Sequence, residues 1–258
     1  MKAFKTKIIA LCNQKGGVGK TTSSINIASF LAITETPTLL IDMDPQANAS
    51  TGLGIEMHPK LLSSYDVLIN NKKISECTQK TDIEYLDLLP SSAQLAGAEI
   101  ELVSMFTRES LLKEAIKEIY GKYKYIIIDS PPSLGLLTIN IFTAVDSIII
   151  PIQCEYYALE GLSQLLNTIR LIQNNLNSKL EIEGILVTMY DSRLNLSNQI
   201  VEEVNQYFGN KVYKTYIHRN VKLGEAPSFG KPILLYNASS RGSHNYMSLV
   251  SEILNQNG

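Results

Sequence analysis

The chain of 258 residues has few cysteines: Cys12, Cys77 and Cys154, odd in number and widely spaced. That excludes a disulfide framework and a cysteine-rich metal pattern, and it suits a reducing compartment. Long apolar runs are also missing. Ile126–Ile128 and Ile148–Ile150 fall far short of the roughly 18 residues needed to cross a bilayer. The first residues, Met1 to Lys7, are charged and lead straight into a strand-like run, without the cleavage site of a signal peptide. Excess charge of either sign is absent. The 23 Lys and Arg stand against 25 Asp and Glu, for a net charge of -2, which argues against an evenly basic nucleic-acid binder and against an acidic tail. There is no internal repeat, low-complexity tract or linker. What remains is ordinary. A hydrophobic fraction of 45% and a charged fraction of 19% exclude global disorder. The length suffices for a sizeable core in one large domain or two small ones.

Short apolar runs alternate with helical patterns. Strands are expected at Ile8–Cys12, Thr38–Ile41, Tyr85–Leu89, Tyr125–Ile128, Ser147–Ile152, Ile182–Met189 and Val212–Tyr216. Helices are expected at Thr21–Ala32, Leu95–Met105, Glu109–Ile119, Leu159–Leu176 and Leu196–Phe208, with Leu249–Leu254 in a closing helix. Tyr125–Ile128 shows no polar alternation, as befits a strand buried on both faces of a parallel sheet. The alternation implies an α/β fold, a doubly wound and mostly parallel sheet flanked by helices. The stretch from about Met57 to Asp82 is the least periodic and is expected at the periphery.

Directly after the first strand comes Lys15-Gly16-Gly17-Val18-Gly19-Lys20-Thr21-Thr22. A glycine-rich turn between strand and helix exposes successive backbone N–H groups. With the positive end of the helix dipole, these cradle phosphate oxygens. Lys20 is placed to reach the β- and γ-phosphates of ATP, and the Thr21 hydroxyl to ligate Mg²⁺. The usual pattern has glycine five residues before the last glycine; here that position is Gln14, and a second lysine, Lys15, precedes the glycine pair.

This form resembles the deviant Walker motif of the ParA/MinD/Soj group of P-loop ATPases. The resemblance implies that Lys15 crosses a dimer interface to the nucleotide of the partner subunit. Leu40-Ile41-Asp42-Met43-Asp44-Pro45-Gln46-Ala47-Asn48 resembles the family's first switch segment. By that resemblance Asp44 orients the attacking water and Asp42 supports the Mg²⁺ shell. Tyr125-Ile126-Ile127-Ile128-Asp129-Ser130-Pro131-Pro132 reads as a Walker B strand with Asp129 near Mg²⁺ and a switch loop stiffened by two prolines. Pro151 to Leu162 resembles the dimer-face segment, where Glu155 approaches the nucleotide. His218 to Ser228 resembles the segment that closes over adenine in Soj-like proteins. The family usually has proline where this chain has His218, and often serine where it has Gly224. Met189 and Asn220 are the candidate adenine contacts. The likeness runs from Ile8 to about Leu254, which implies a single ATPase domain over residues 1–258.

The branch of the family follows from charge. MinD-like members end in a basic amphipathic helix that lies on membranes. Met247 to Gly258 has no Lys or Arg, so no membrane partner is expected. Relatives that hold an iron–sulfur cluster need exposed cysteines, whereas Cys12 and Cys154 lie in or beside strands and are expected to pack in the core. The window from Lys211 to Arg241 holds six basic residues and one acid, Glu225. It carries +5, which with a net charge of -2 leaves -7 elsewhere. Arg193, Arg219 and Lys222 are the DNA-binding candidates, Arg193 by resemblance to chromosomal ParA proteins. No helix-turn-helix module precedes the first strand, so DNA binding is expected to be non-specific. The resemblance implies a homodimer formed on ATP binding and a ParB-type centromere-binding protein that stimulates hydrolysis, in a cytoplasmic, nucleoid-associated protein. An alternative is a positioning ATPase that works on a protein or membrane surface; another is a metabolic P-loop relative, which would need a second substrate pocket.

Overall fold

Seven short strands, the inner ones mostly apolar, form the centre of the molecule. They are β1 (Lys7–Leu11), β2 (Thr38–Asp42), β3 (Gln79–Lys80), β4 (Leu86–Leu89), β5 (Tyr125–Asp129), β6 (Ser147–Gln153) and β7 (Glu181–Thr188). The computed structural model of the chain describes residues 4–155 and 161–257. The strands join in one sheet in the order β3-β4-β2-β5-β1-β6-β7. Every neighbouring pair is parallel except β3 with β4.

Side chains alternate across this sheet, and both faces are covered. Ile8, Ala10 and Cys12 point into one core with Leu39, Ile41, Ile126 and Ile128. Ile9 and Leu11 point into the other with Leu40 and Ile127. The polar alternation of a half-exposed strand is therefore absent. The first core is covered by α3 (Ser64–Leu68), α4 (Ile74–Cys77), α5 (Leu95–Leu102), α6 (Leu111–Ile116), α7 (Leu136–Ala144), α8 (Leu162–Asn175) and α9 (Asn195–Phe208). The second is covered by α1 (Lys20–Ala32), α2 (Asn48–Gly52), α10 (Val221–Glu225), α11 (Ile233–Tyr236) and α12 (Arg241–Asn257). The expected doubly wound fold is present.

The register sets the position of the chemistry. Leu11 and Asp42 both stand level with Asp129, so β1, β2 and β5 end together. Ligands in open α/β sheets bind at this carboxyl edge, and the glycine-rich loop follows β1 directly.

One expectation needs correction, and two stretches hold elements that the sequence reading did not place. Val212–Tyr216 is not a strand: it meets β7 through one isolated bridge, Ile185 with Val212, and the chain beyond both forms another, Tyr190 with His218. Its apolar residues serve packing instead, with the Tyr213 ring laid where a Cβ at Gly184 would be 2.4 Å away. The aperiodic stretch 57–82 does lie at the sheet edge, but it contributes β3, α3 and α4. The region after Pro132, for which no element was expected, forms α7, whose residues Leu137, Thr138 and Asn140 to Ala144 are all buried. A helix buried nearly all round lacks an amphipathic stripe. The expected helix from Leu159 begins partly outside the described residues; its described part starts at Leu162.

All three cysteines are free and buried, and burial pushes each thiol up to about 11. They are packing residues. Among the described residues no helix is long and apolar enough to cross a membrane.

Candidate active site

The loop between β1 and α1 turns tightly because Gly17 and Gly19 adopt φ of +75° and +87°, a region that side chains disfavour. Gly19 is also the residue before α1, which begins with no side-chain cap and no acid in its first turn. Among the described residues, the backbone N–H groups of Gly16 to Thr22 reach no backbone acceptor. Such a row of free donors at a helix N-terminus fits an anion. Two residues that sequence reasoning missed hold the loop. Asn13 donates to the Pro151 carbonyl at 2.7 Å and accepts from the Lys15 N–H at 3.0 Å. Thr188, at the end of β7, donates to the Val18 carbonyl at 2.9 Å.

Lys20 is only 6% exposed, and its ammonium donates to the Lys15 carbonyl at 3.3 Å. Burial lowers its pKa, against the opposing pull of Asp129, Cys12 and Asp44. A buried ammonium with a single neutral acceptor has donors left for phosphate oxygens.

Three carboxylates gather beside it. Asp129 accepts from the Thr21 hydroxyl at 2.8 Å and the Ser24 hydroxyl at 2.9 Å. Asp42 accepts from the Ser50 N–H at 2.9 Å, the Ser50 hydroxyl at 2.7 Å and the Asp44 N–H at 3.1 Å. Asp44 accepts from the Gln46 N–H at 2.9 Å. Burial raises the pKa of Asp129, and the charge of Asp42 adds to the rise; Asp42 is raised by burial too, partly offset by Ser50. Asp42 and Asp129 are fully buried, and among the described residues none of the three carboxylates forms a salt bridge. Buried carboxylates in this condition fit a cation. No cluster of three metal-ligating His, Cys, Asp or Glu side chains occurs among the described residues. Mg²⁺ suits such a place because it takes one or two protein groups and completes its shell with phosphates and water. Ser24 and Ser50 were also missed in the sequence.

Lys20, Thr21, Asp44, Pro132 and Met189 line one cleft of about 320 Å³. Gly19, Thr22 and Met189 continue into a more apolar pocket of about 180 Å³, closed by Ile217, Leu223 and Tyr246. Asn220 lines it as well and caps α10 by accepting from the Lys222 N–H at 2.9 Å. Met189 sits at φ +52°, which turns the chain at the end of β7. Both adenine candidates thus stand in a pocket beside the phosphate loop. Tyr246, from α12, shares a 2.9 Å hydrogen bond with Ser23 of α1 beneath it.

The basic candidates lie next to that pocket. Arg193, Arg219 and Arg241 line a cleft of about 320 Å³ with Asp191 and His218. Arg193 grips Asp191 at two points, 2.9 and 2.6 Å, which drives the Asp191 pKa down. Lys222 does not line this cleft; it pairs with Glu225 at 2.9 Å. Lys15 lies 3.4 Å from Glu155. Residues 156–160 of the expected dimer-face segment lie outside the described residues.

Comparison with known proteins decides the family. An AAA domain model matches residues 6–182. The sporulation initiation inhibitor protein Soj of Bacillus subtilis (strain 168) is 57% identical over 247 residues, covering 96% of this chain and 98% of that protein. The chain belongs to the ParA/Soj family of partitioning P-loop ATPases. A second ParA/Soj relative, the chromosome partitioning protein ParA of Myxococcus xanthus (strain DK1622), is 52% identical over 248 residues, covering 96% of this chain and 88% of that protein. The crystal structure of cobyrinic acid a,c-diamide synthase from Mycobacterium smegmatis, with bound ADP and magnesium, superposes with a TM-score of 0.86 at 34% identity, covering 97% of this chain and 95% of that one. Its name is metabolic, whereas the ParA of Myxococcus xanthus, at higher identity, carries a chromosome-partitioning name.

Proposed function

We propose that this ATPase binds ATP and Mg²⁺ at the loop after β1, forms a homodimer with two ATP molecules sandwiched between the subunits, and in that state binds DNA without sequence specificity. A ParB-type centromere-binding protein stimulates hydrolysis, the dimer dissolves, and the DNA is released. Repeated cycles segregate a chromosome or plasmid. The protein works in the cytoplasm on the nucleoid, over residues 1–258 as one ATPase domain, with no membrane partner.

The roles proposed for the residues rest on the family resemblance, and their positions support them. The N–H groups of Gly16, Gly17, Val18, Gly19, Lys20, Thr21 and Thr22 cradle the phosphates, and Lys20 neutralises the β- and γ-oxygens. Thr21 and Asp129 hold Mg²⁺. That ion, when bound, offsets the charge that gathers on the transferred phosphoryl group. Asp44, in the lining of the phosphate cleft, orients the attacking water, and Asp42 supports the Mg²⁺ shell and holds the Asp44 backbone through their 3.1 Å hydrogen bond. Lys15 reaches the partner subunit's nucleotide. Met189 and Asn220 flank the adenine. Arg193 and Arg219 contact DNA phosphates, with Lys222 further out.

One observation supports the link between nucleotide and DNA: His218 and Arg219 line both the base pocket and the arginine cleft. A few phosphate contacts per subunit give weak affinity at physiological salt, and pairing subunits multiplies them. The test is retention on random-sequence DNA with ATP, ADP or no nucleotide, with and without the ParB-type protein. Retention with ATP alone, shortened by that protein, is expected. Equal retention in all nucleotide states would overturn the reading. Turnover of ATP without DNA retention would favour a positioning role on another surface.

A further inference from the structure

Glu155 stands between the phosphate loop and the arginine cleft. Its Oε2 lies 3.4 Å from the Lys15 Nζ, and its Oε1 lies 4.0 Å from an Arg219 Nη2. The Gln153 side-chain amide donates to the same Oε1 and steadies the carboxylate. Lys15 is the second lysine of the loop, and Arg219 belongs to the wall shared by the base pocket and the arginine cleft. One carboxylate therefore faces a cation proposed for a nucleotide phosphate and a cation proposed for a DNA phosphate.

The chemistry of the contact is substitution. A carboxylate and a phosphate offer an ammonium or guanidinium the same anionic oxygens. The side chains of Lys15, Glu155 and Arg219 are 35%, 47% and 65% exposed, so solvent weakens each pair and a phosphate can displace it. Arg193 with Asp191 and Lys222 with Glu225 repeat the pattern, but each joins one cation to one acid. Among the described residues Glu155 alone joins the loop to the DNA candidates.

We propose that Glu155 is an internal stand-in for two phosphates, competing with a nucleotide phosphate for Lys15 and with a DNA phosphate for Arg219. It raises the threshold for both dimerisation and DNA binding in the free subunit. This rests on the reading given under Proposed function. Exposed pairs of this kind shift an equilibrium by about two- to five-fold, so Glu155 biases the cycle without locking it.

The test is Glu155→Gln, which keeps the shape and removes the charge, beside Glu155→Asp, which keeps the charge. Sedimentation across an ATP titration reads the Lys15 arm. Binding to random-sequence DNA in ADP at low salt reads the Arg219 arm. For Glu155→Gln, half-maximal dimer is expected at about two- to five-fold lower ATP, and DNA binding in ADP about two- to five-fold tighter. Glu155→Asp is expected to fall between Glu155→Gln and the unaltered chain. An unchanged or opposite shift in either readout overturns the double role. If the unaltered chain fails to bind DNA with ATP, the proposed function fails, while the ATP titration still judges Glu155. If the unaltered chain behaves as proposed and Glu155→Gln shifts nothing, only this inference fails.

Discussion

Asp44 and Lys15 divide the proposed cycle between them. Asp44 lines the phosphate cleft and, among the described residues, pairs with no cation, whereas Lys15 reaches out of the loop toward Glu155. Replacing Asp44 with alanine removes the group proposed to orient water but leaves the loop donors intact. Asp44→Ala is therefore expected to bind ATP, accumulate as a dimer and lose turnover by about 100-fold or more, the scale of general-base loss. Lys15→Gln is expected to bind ATP and remain a monomer. Sedimentation and phosphate release check both; wild-type turnover in the first or a wild-type dimer in the second contradicts the assignments. The sequence pointed to these two residues through resemblance: the loop from Lys15 to Thr22 and the segment from Leu40 to Asn48 match motifs of the family. Asn13, Ser24, Ser50 and Thr188 were not. Each is a common polar residue whose role depends on a distant partner, as Thr188 depends on Val18 and Ser24 on Asp129.

At the scale of elements, burial on both faces made the central strands readable and hid other features. β1, β2, β5, β6 and β7 are short, mostly apolar runs, and the structure matches them within a residue or so. Val212–Tyr216 has the same apolar content but packs through rings. Tyr213 is 2% exposed and lies over Gly184 of β7. A sequence cannot show that the open face of one glycine receives a tyrosine from the next segment. Gly184→Ala would place a methyl group 2.4 Å from that ring. The ring is enclosed, so the overpacking should destabilise the fold by about 1–3 kcal/mol. Denaturant unfolding measures it; an unchanged midpoint would show that the ring can move aside.

Across the whole molecule, a net charge of -2 conceals a window of +5. The structure adds that these cations are not idle. Arg219 and Lys222 in that window, like Arg193 outside it, each face an internal carboxylate, with which the proposed DNA phosphates would have to compete. Binding should then be weak in one subunit and depend steeply on the number of subunits engaged. With about three phosphate contacts per subunit, the slope of log affinity against log salt is about -2.7 for one subunit and about twice that for a dimer. The salt dependence of binding to random-sequence DNA, measured with ATP and with ADP on Asp44→Ala protein, tests the central claim most directly. A slope with ATP about twice the slope with ADP is the expected result. Equal slopes in the two nucleotides would contradict a DNA-binding surface assembled by ATP.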